Sequence, residues 1–181
     1  MFKQHPYVIW MDSSVGFSGD IEVKCKQIMS SLRRNGGLAF MIGGAVHSTF
    51  WGTDPGLYRY LPPRNSSDMK EGRMLQSGAY AAARTRELYD GVFFWAYLCA
   101  LTEDCTHPPG SIRQPCTWGG AQVGPHTTHA GCHRFDQSVL NILVRNMYGR
   151  AGYQKMHENY SIVSIRRLHT NDRQGYHGFK D

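Results

Sequence analysis

The sequence predicts an α/β domain with a mixed, mostly parallel sheet flanked by helices, and three observations carry that expectation. Two short apolar runs, Tyr7-Val8-Ile9-Trp10-Met11 and Leu38-Ala39-Phe40-Met41-Ile42, read as buried strands. Apolar residues recur at helical spacing at Ile21, Cys25, Ile28 and Leu32, and again at Phe135, Val139, Ile142, Leu143 and Met147. Interleaving of the two patterns favours α/β over separate layers of one kind. With 181 residues, 41% of them hydrophobic, the chain can bury one core, so a single domain over 1–181 is expected.

Each element follows from local chemistry. The first strand runs into Asp12-Ser13-Ser14, a polar turn, and the helix begun near Ile21 meets its stop at Gly36-Gly37. Residues 43–72 dissolve into Gly, Pro, Ser and aromatics, which predicts a long ordered loop or short helical turns. Residues 74–83 return as a strand, and Thr85 opens a helix whose face is Leu88, Val92, Trp95 and Cys99. A second irregular region, 106–131, is rich in Pro, Gly and His. It leads to a helix begun by Asp136 or a neighbour and stopped at Gly149. Residues 160–165 read as a last strand, and the polar stretch 169–181, without periodicity, as a flexible tail.

Composition narrows the function classes. Lys plus Arg exceed Asp plus Glu, 20 against 14, but only Arg33-Arg34 and Arg166-Arg167 are adjacent. A scattered positive surface attracts diphosphates and acidic glycans without identifying either. Nucleic-acid binding would want aromatics set into a dense basic stripe, and that is missing. No run approaches the roughly 18–20 apolar residues of a membrane span, so no membrane contact by this segment is expected. The N-terminus lacks the apolar core and cleavage site of a signal peptide, so the expectation is either a cytosolic chain or a targeting segment outside this sequence.

Five cysteines point to an oxidising compartment. Cys25 falls within a helical pattern; Cys99, Cys105, Cys116 and Cys132 lie at a helix end and in the polar region after it. Four cysteines allow three connectivities, and the shortest loops pair Cys99 with Cys105 and Cys116 with Cys132. Reduced thiols, with Cys25 and Cys99 as small core residues, are the alternative.

Two polar junctions are the candidates for chemistry. Asp12, fixed at a strand end, can hold a hard divalent cation that bridges diphosphate oxygens, or can simply bond turn N–H groups. The run His133-Arg134-Phe135-Asp136-Gln137 gathers hydrogen-bonding groups at a helix start, where free N–H groups and the positive dipole end lie. There Asp136 can act as a plain cap.

These junctions, with Cys99-Ala100-Leu101 followed shortly by Cys105, resemble an uncharacterised, nematode-expanded family of glycosyltransferase-like proteins, over residues 7–148. The resemblance implies a partial nucleotide-diphospho-sugar (GT-A) fold, with this chain as its later portion and the earlier nucleotide-binding strands outside it. It gives Asp12 the metal position, for Mn2+, and Asp136 the catalytic neighbourhood. His133, Arg134 and Gln137 take the sugar or acceptor. Ser14 stands where related transferases carry a second acid. The implied reaction is glycosyl transfer from a nucleotide sugar to a glycan or protein acceptor in the Golgi lumen or outside the cell. A non-catalytic glycan- or protein-binding module of the secretory pathway is the alternative.

Two further features bear on a site. Phe50-Trp51, Tyr58 and Tyr60 can stack on sugar rings or close a loop over the core, and Trp51 and Tyr58 are the expected rim of the acceptor site. His126, His129, Cys132 and His133 fit no familiar zinc spacing, so an exposed histidine-rich loop is expected there. The spatial expectation is that Asp12 and Asp136 share one cleft, because strand ends and helix starts are where α/β domains present polar groups to ligands.

Overall fold

A computed structural model describes residues 5–17, 19–113, 129, 131–156 and 162–165. The mixed α/β character is present, but the sheets are antiparallel. β1 (Tyr7–Met11), β4 (Ala79–Ala83) and β3 (Leu38–Phe40) form one sheet in the order β1-β4-β3. Both pairings are antiparallel, with Trp10 opposite Tyr80 and Phe40 opposite the same residue. β2 (Val15–Phe17) and β5 (Val163–Ile165) form a second, two-stranded antiparallel sheet. The mostly parallel sheet expected from interleaving is thereby corrected. A period-two pattern reports which faces are buried and carries nothing about strand direction.

Helices cover both faces of the three-stranded sheet. On one side Leu38, Phe40 and Ala82 pack with Leu88, Val92, Val139, Ile142 and Leu143 from the later helices. On the other, Ala39, Ala79 and Ala81 pack with Ile28, Leu32, Ile162 and Val163. The central strand is alanine-rich because both of its faces are covered, and small side chains let both layers approach.

α1 (Ile21–Arg34) is capped by Asp20, whose carboxylate accepts from the Glu22 and Val23 N–H groups. Gly36 and Gly37 end it at φ 64° and 95°, conformations that L side chains rarely adopt, and Gly37 N–H returns to Leu32 O. Only its later half is in the core: Ile28 and Leu32 are buried, whereas Ile21 and Cys25 are exposed, contrary to the expected four-residue face.

Residues 43–72 carry short turns, a 3₁₀ helix (Pro55–Arg59) and α2 (Ser66–Lys70). Thr85 caps α3 (Arg86–Leu88) by accepting from Leu88 N–H. That helix continues through a π-helical turn (Tyr89–Phe93) into α4 (Phe94–Leu101). The wider turn explains one failed expectation: Leu88, Val92 and Cys99 are buried but Trp95 is 48% exposed, with Ala96 packed inward instead. A π turn holds more residues than an α turn, so it rotates everything after it around the axis.

α5 (Phe135–Lys155) buries Val139, Ile142 and Leu143 as the spacing predicts. Gly149, at φ 63° and ψ −177°, kinks the helix where a stop was expected, and the chain resumes to Lys155. The expected strand at 74–83 is confined to Ala79–Ala83, because residues 75–78 bond to α5 and to other segments. The expected tail at 169–181 lies outside the described residues. Among the described residues no helix is long and apolar enough to cross a membrane.

Candidate functional site

Asp12 continues the β1–β4 ladder by one step: its N–H donates to Gly78 O at 2.8 Å. Its own carbonyl accepts from Val15 N–H at 2.9 Å, closing the turn into β2. The backbone is thus pinned on both sides while the side chain stays exposed. Gly78 is tied to this arrangement, since a Cβ there would lie 3.0 Å from Asp12 Oδ2 and 3.2 Å from Ile42 Cδ1. We expect Gly78→Ala to displace the Asp12 carboxylate, which is free to swing, and to change stability by less than about 1 kcal/mol. A shifted carboxyl carbon resonance for Asp12 beside a nearly unchanged thermal unfolding curve is the expected pair of readings. An unmoved resonance would show that the contact does not position the acid.

The start of α5 is anchored from behind. His133 has 0% exposure, and its Nδ1 accepts from Asp54 N–H at 3.1 Å while Nε2 faces Thr106 O at 3.1 Å. Those partners select the neutral tautomer with the proton on Nε2. Burial holds the ring below the ordinary histidine range, although the Thr106 carbonyl and the Asp54 charge pull the other way. Thr106 directly follows the loop closed by the Cys99–Cys105 disulfide, and its hydroxyl donates to Cys99 O at 3.3 Å. The disulfide therefore supports the helix start through His133. Arg134 N–H and the Ser138 hydroxyl both bond Gly52 O, at 3.1 Å each.

Asp136, on the first turn of α5, accepts from the Ser77 hydroxyl at 3.3 Å. Gln137 Nε2 donates to Leu75 O at 3.0 Å. Asn141 makes both bonds to the same residue: Leu75 N–H to Oδ1 at 2.8 Å, and Nδ2 to Leu75 O at 2.9 Å. On the other side Gln76 Nε2 donates to Gly43 O at 2.8 Å. The segment Gln76-Ser77-Gly78 is thus a bridge, with Gly78 holding Asp12 and Ser77 holding Asp136. The sequence reading placed these residues inside the strand expected at 74–83, so nothing singled them out.

Asp12 and Asp136 line one cleft of ≈ 540 Å³, together with Ser14, Ser77, Arg113 and Arg134. Gln137 is part of the same wall, and so by position is His133, although its ring is used inside. Burial, and then the charge of Arg113, lower the Arg134 guanidinium from its ordinary range, and its Nε is buried with no hydrogen-bond partner among the described residues. Two mutually repelling guanidiniums beside two carboxylates make a site that an anion with attached hydroxyls can satisfy.

Trp51 and Tyr58 do not reach this cleft. Trp51 is 3% exposed, packed with Cys132 and 4.9 Å from the His47 ring. Tyr58 packs against the main core, and burial pushes its phenol up to about 12 against the opposing effects of Thr53 and Arg145. Their loop packs against the core, and neither residue is among those lining the cleft.

The Cys99–Cys105 pairing is present, with the Cα atoms 5.2 Å apart, and Cys25 is free and exposed. Cys132 is buried and disulfide-bonded, while its expected partner Cys116 lies outside the described residues, as does His126. His129 is committed to Phe50, with its Nδ1 2.8 Å from the carbonyl oxygen and its ring 4.0 Å from the phenyl centroid. Among the described residues no three His, Cys, Asp or Glu side chains gather as a metal cage. No family model, curated protein or solved structure matches this chain.

Proposed function

We propose that this chain carries part of a glycosyl-transfer site, working on a nucleotide-sugar donor and a hydroxyl acceptor in the secretory pathway. One observation carries the reading: acids from a strand end and a helix start, distant in sequence, line one cleft with two guanidiniums. The donor's diphosphate would lie against Arg113, Arg134 and Asp12, and the reacting hydroxyl near Asp136. Gln137 and Ser77 hold that acid and its helix in place.

In the reaction the bond between the anomeric carbon and the diphosphate oxygen breaks, and its electron pair leaves with the diphosphate. The acceptor oxygen bonds that carbon, and its proton passes to a base, a role the Asp136 carboxylate would take. The guanidiniums offset the charge that grows on the leaving group. Asp12 is the residue that would hold Mn2+. One or two protein carboxylates plus substrate phosphates are a common way to bind such hard cations, so the donor set fits. When bound, the cation neutralises diphosphate charge. The Cys99–Cys105 disulfide is compatible with the secretory pathway.

Ser14 lines the cleft where a second acid would strengthen metal binding, and this favours a second reading: a non-catalytic glycan- or protein-binding module. Calorimetric titration with nucleoside diphosphates, with and without Mn2+, separates the two. Transfer predicts saturable, metal-assisted binding that Asp12→Ala weakens by about tenfold or more. A flat titration of the wild-type chain would leave only the binding module.

A further inference from the structure

Asp136 belongs to two cavities. Besides the polar cleft, it lines a groove of ≈ 230 Å³ whose other walls include Trp10, Tyr80, Phe93, Ala100 and Leu140. The strand register builds the aromatic part. Trp10 on β1 faces Tyr80 on β4 across the sheet, and Tyr80 packs on Phe93 of the π turn with ring centroids 6.3 Å apart. Tyr80 and Phe93 are partly buried, but Trp10 is 52% exposed on an edge strand. The groove therefore combines an apolar, aromatic wall and an open indole with one carboxylate, that of the exposed Asp136. The Asp136 charge is felt there: burial first, and that charge second, raise the Tyr80 phenol.

We infer that this groove is the acceptor subsite and takes a glycoside, with one sugar ring stacked on Trp10 and a hydroxyl directed at Asp136. The inference rests on the transfer reading and names the substrate class for its second half. A sugar ring has an apolar C–H face and a hydroxylated edge, which matches a wall that is aromatic and carries one carboxylate. The volume lies below the roughly 300–1,000 Å³ typical of sites for drug-sized ligands, which suits one ring rather than an acyl chain. Continuity through Asp136 decides between this groove and the other aromatic clusters. A ring seated here places its hydroxyl beside the acid that also faces the diphosphate cleft, whereas Trp51 and Tyr58 line neither cavity. Trp10 thus replaces Trp51 as the stacking residue.

The test uses the full chain, a panel of methyl glycosides (hexose, N-acetylhexosamine and pentose) and, separately, a nucleoside diphosphate with Mn2+. Saturation-transfer NMR and calorimetry should find at least one methyl glycoside that binds. Trp10→Ala should weaken it by about tenfold, with Trp10→Phe retaining most of the affinity. Ala100→Phe, on an exposed position of α4, should block the groove without touching Trp10. Nucleoside diphosphate binding should be unchanged in all three variants. If no glycoside in the panel binds, or if Trp10→Ala and Ala100→Phe bind as wild type does, the subsite assignment is overturned while the diphosphate reading stands on its own titration. If the glycoside binds through Trp10 but no nucleoside diphosphate binds, glycosyl transfer fails and the groove stands as a glycan-binding site.

Discussion

Asn141→Leu is expected to cost about 3 kcal/mol of folding free energy, a large part of the roughly 5–15 kcal/mol that holds a domain together. Asn141 is fully buried and bonds both the N–H and the carbonyl of Leu75, and its Oδ1 also accepts from the Tyr153 hydroxyl. Leucine keeps nearly the same shape and removes every one of these bonds, so the penalty is that of leaving buried polar groups short of partners. The groups are not wholly orphaned. Leu75 N–H still reaches the Tyr153 hydroxyl at 3.1 Å and Leu75 O still accepts from Gln137, which keeps the estimate at the lower end of the sum. Urea unfolding should show a lower midpoint with an unchanged slope. The partly buried Asn146 offers a control, because its bonds to Pro62 O and Arg64 N–H lie at the surface; Asn146→Ala should cost about 1 kcal/mol or less. Equal losses from the two substitutions would mean that burial of the Leu75 clamp is not what stabilises the fold. The clamp also carries Gln76-Ser77-Gly78, so ligand binding in the cleft should weaken before the protein unfolds.

His133→Ala should destabilise the protein by about 2–4 kcal/mol at neutral pH, through a cavity and through the loss of partners for Asp54 N–H and Thr106 O. It should also change the pH dependence. Burial depresses the folded pKa of His133 below its ordinary 6.5, so below that pH the unfolded chain binds more protons than the folded one. Its contribution is fully present above pH 6.5 and is lost as the pH falls toward the folded pKa. Asp54 and Asp136 nearby favour the charged ring and His107 opposes it, so the loss sets in gradually. Melting temperatures between about pH 7.5 and 5 should fall more steeply for the wild type than for the variant. Parallel curves would show that His133 does not supply the acid sensitivity.

Much of the local structure was legible. Thr85 caps a helix, Gly36-Gly37 end one, and Val139, Ile142 and Leu143 form the inner face of α5, all from short-range rules. The two polar junctions were legible as places, a carboxylate directly after an apolar strand and another at a helix start, although a turn and a cap use the same residues. Where local rules failed, a neighbour outside their range had intervened. Trp95 left its expected face when the π turn changed the helix phase, and Ile21 and Cys25 extend beyond the layer that buries Ile28 and Leu32.

What the sequence by itself determined, then, is the position of the strands, caps and polar junctions, because those depend on contacts within four or five residues along the chain. Strand direction, the bridging of Asp12 to Asp136 by Ser77 and Gly78, and the choice of Trp10 over Trp51 as the open aromatic were decided only in three dimensions. Alternating side chains look the same in parallel and antiparallel sheets, and a tryptophan beside glycines and a tryptophan in an apolar strand look equally buried in one dimension. Long-range packing settled both: the loop bearing Trp51 folds onto Cys132, whereas β1, at the sheet's edge, leaves Trp10 half open beside the acid of α5.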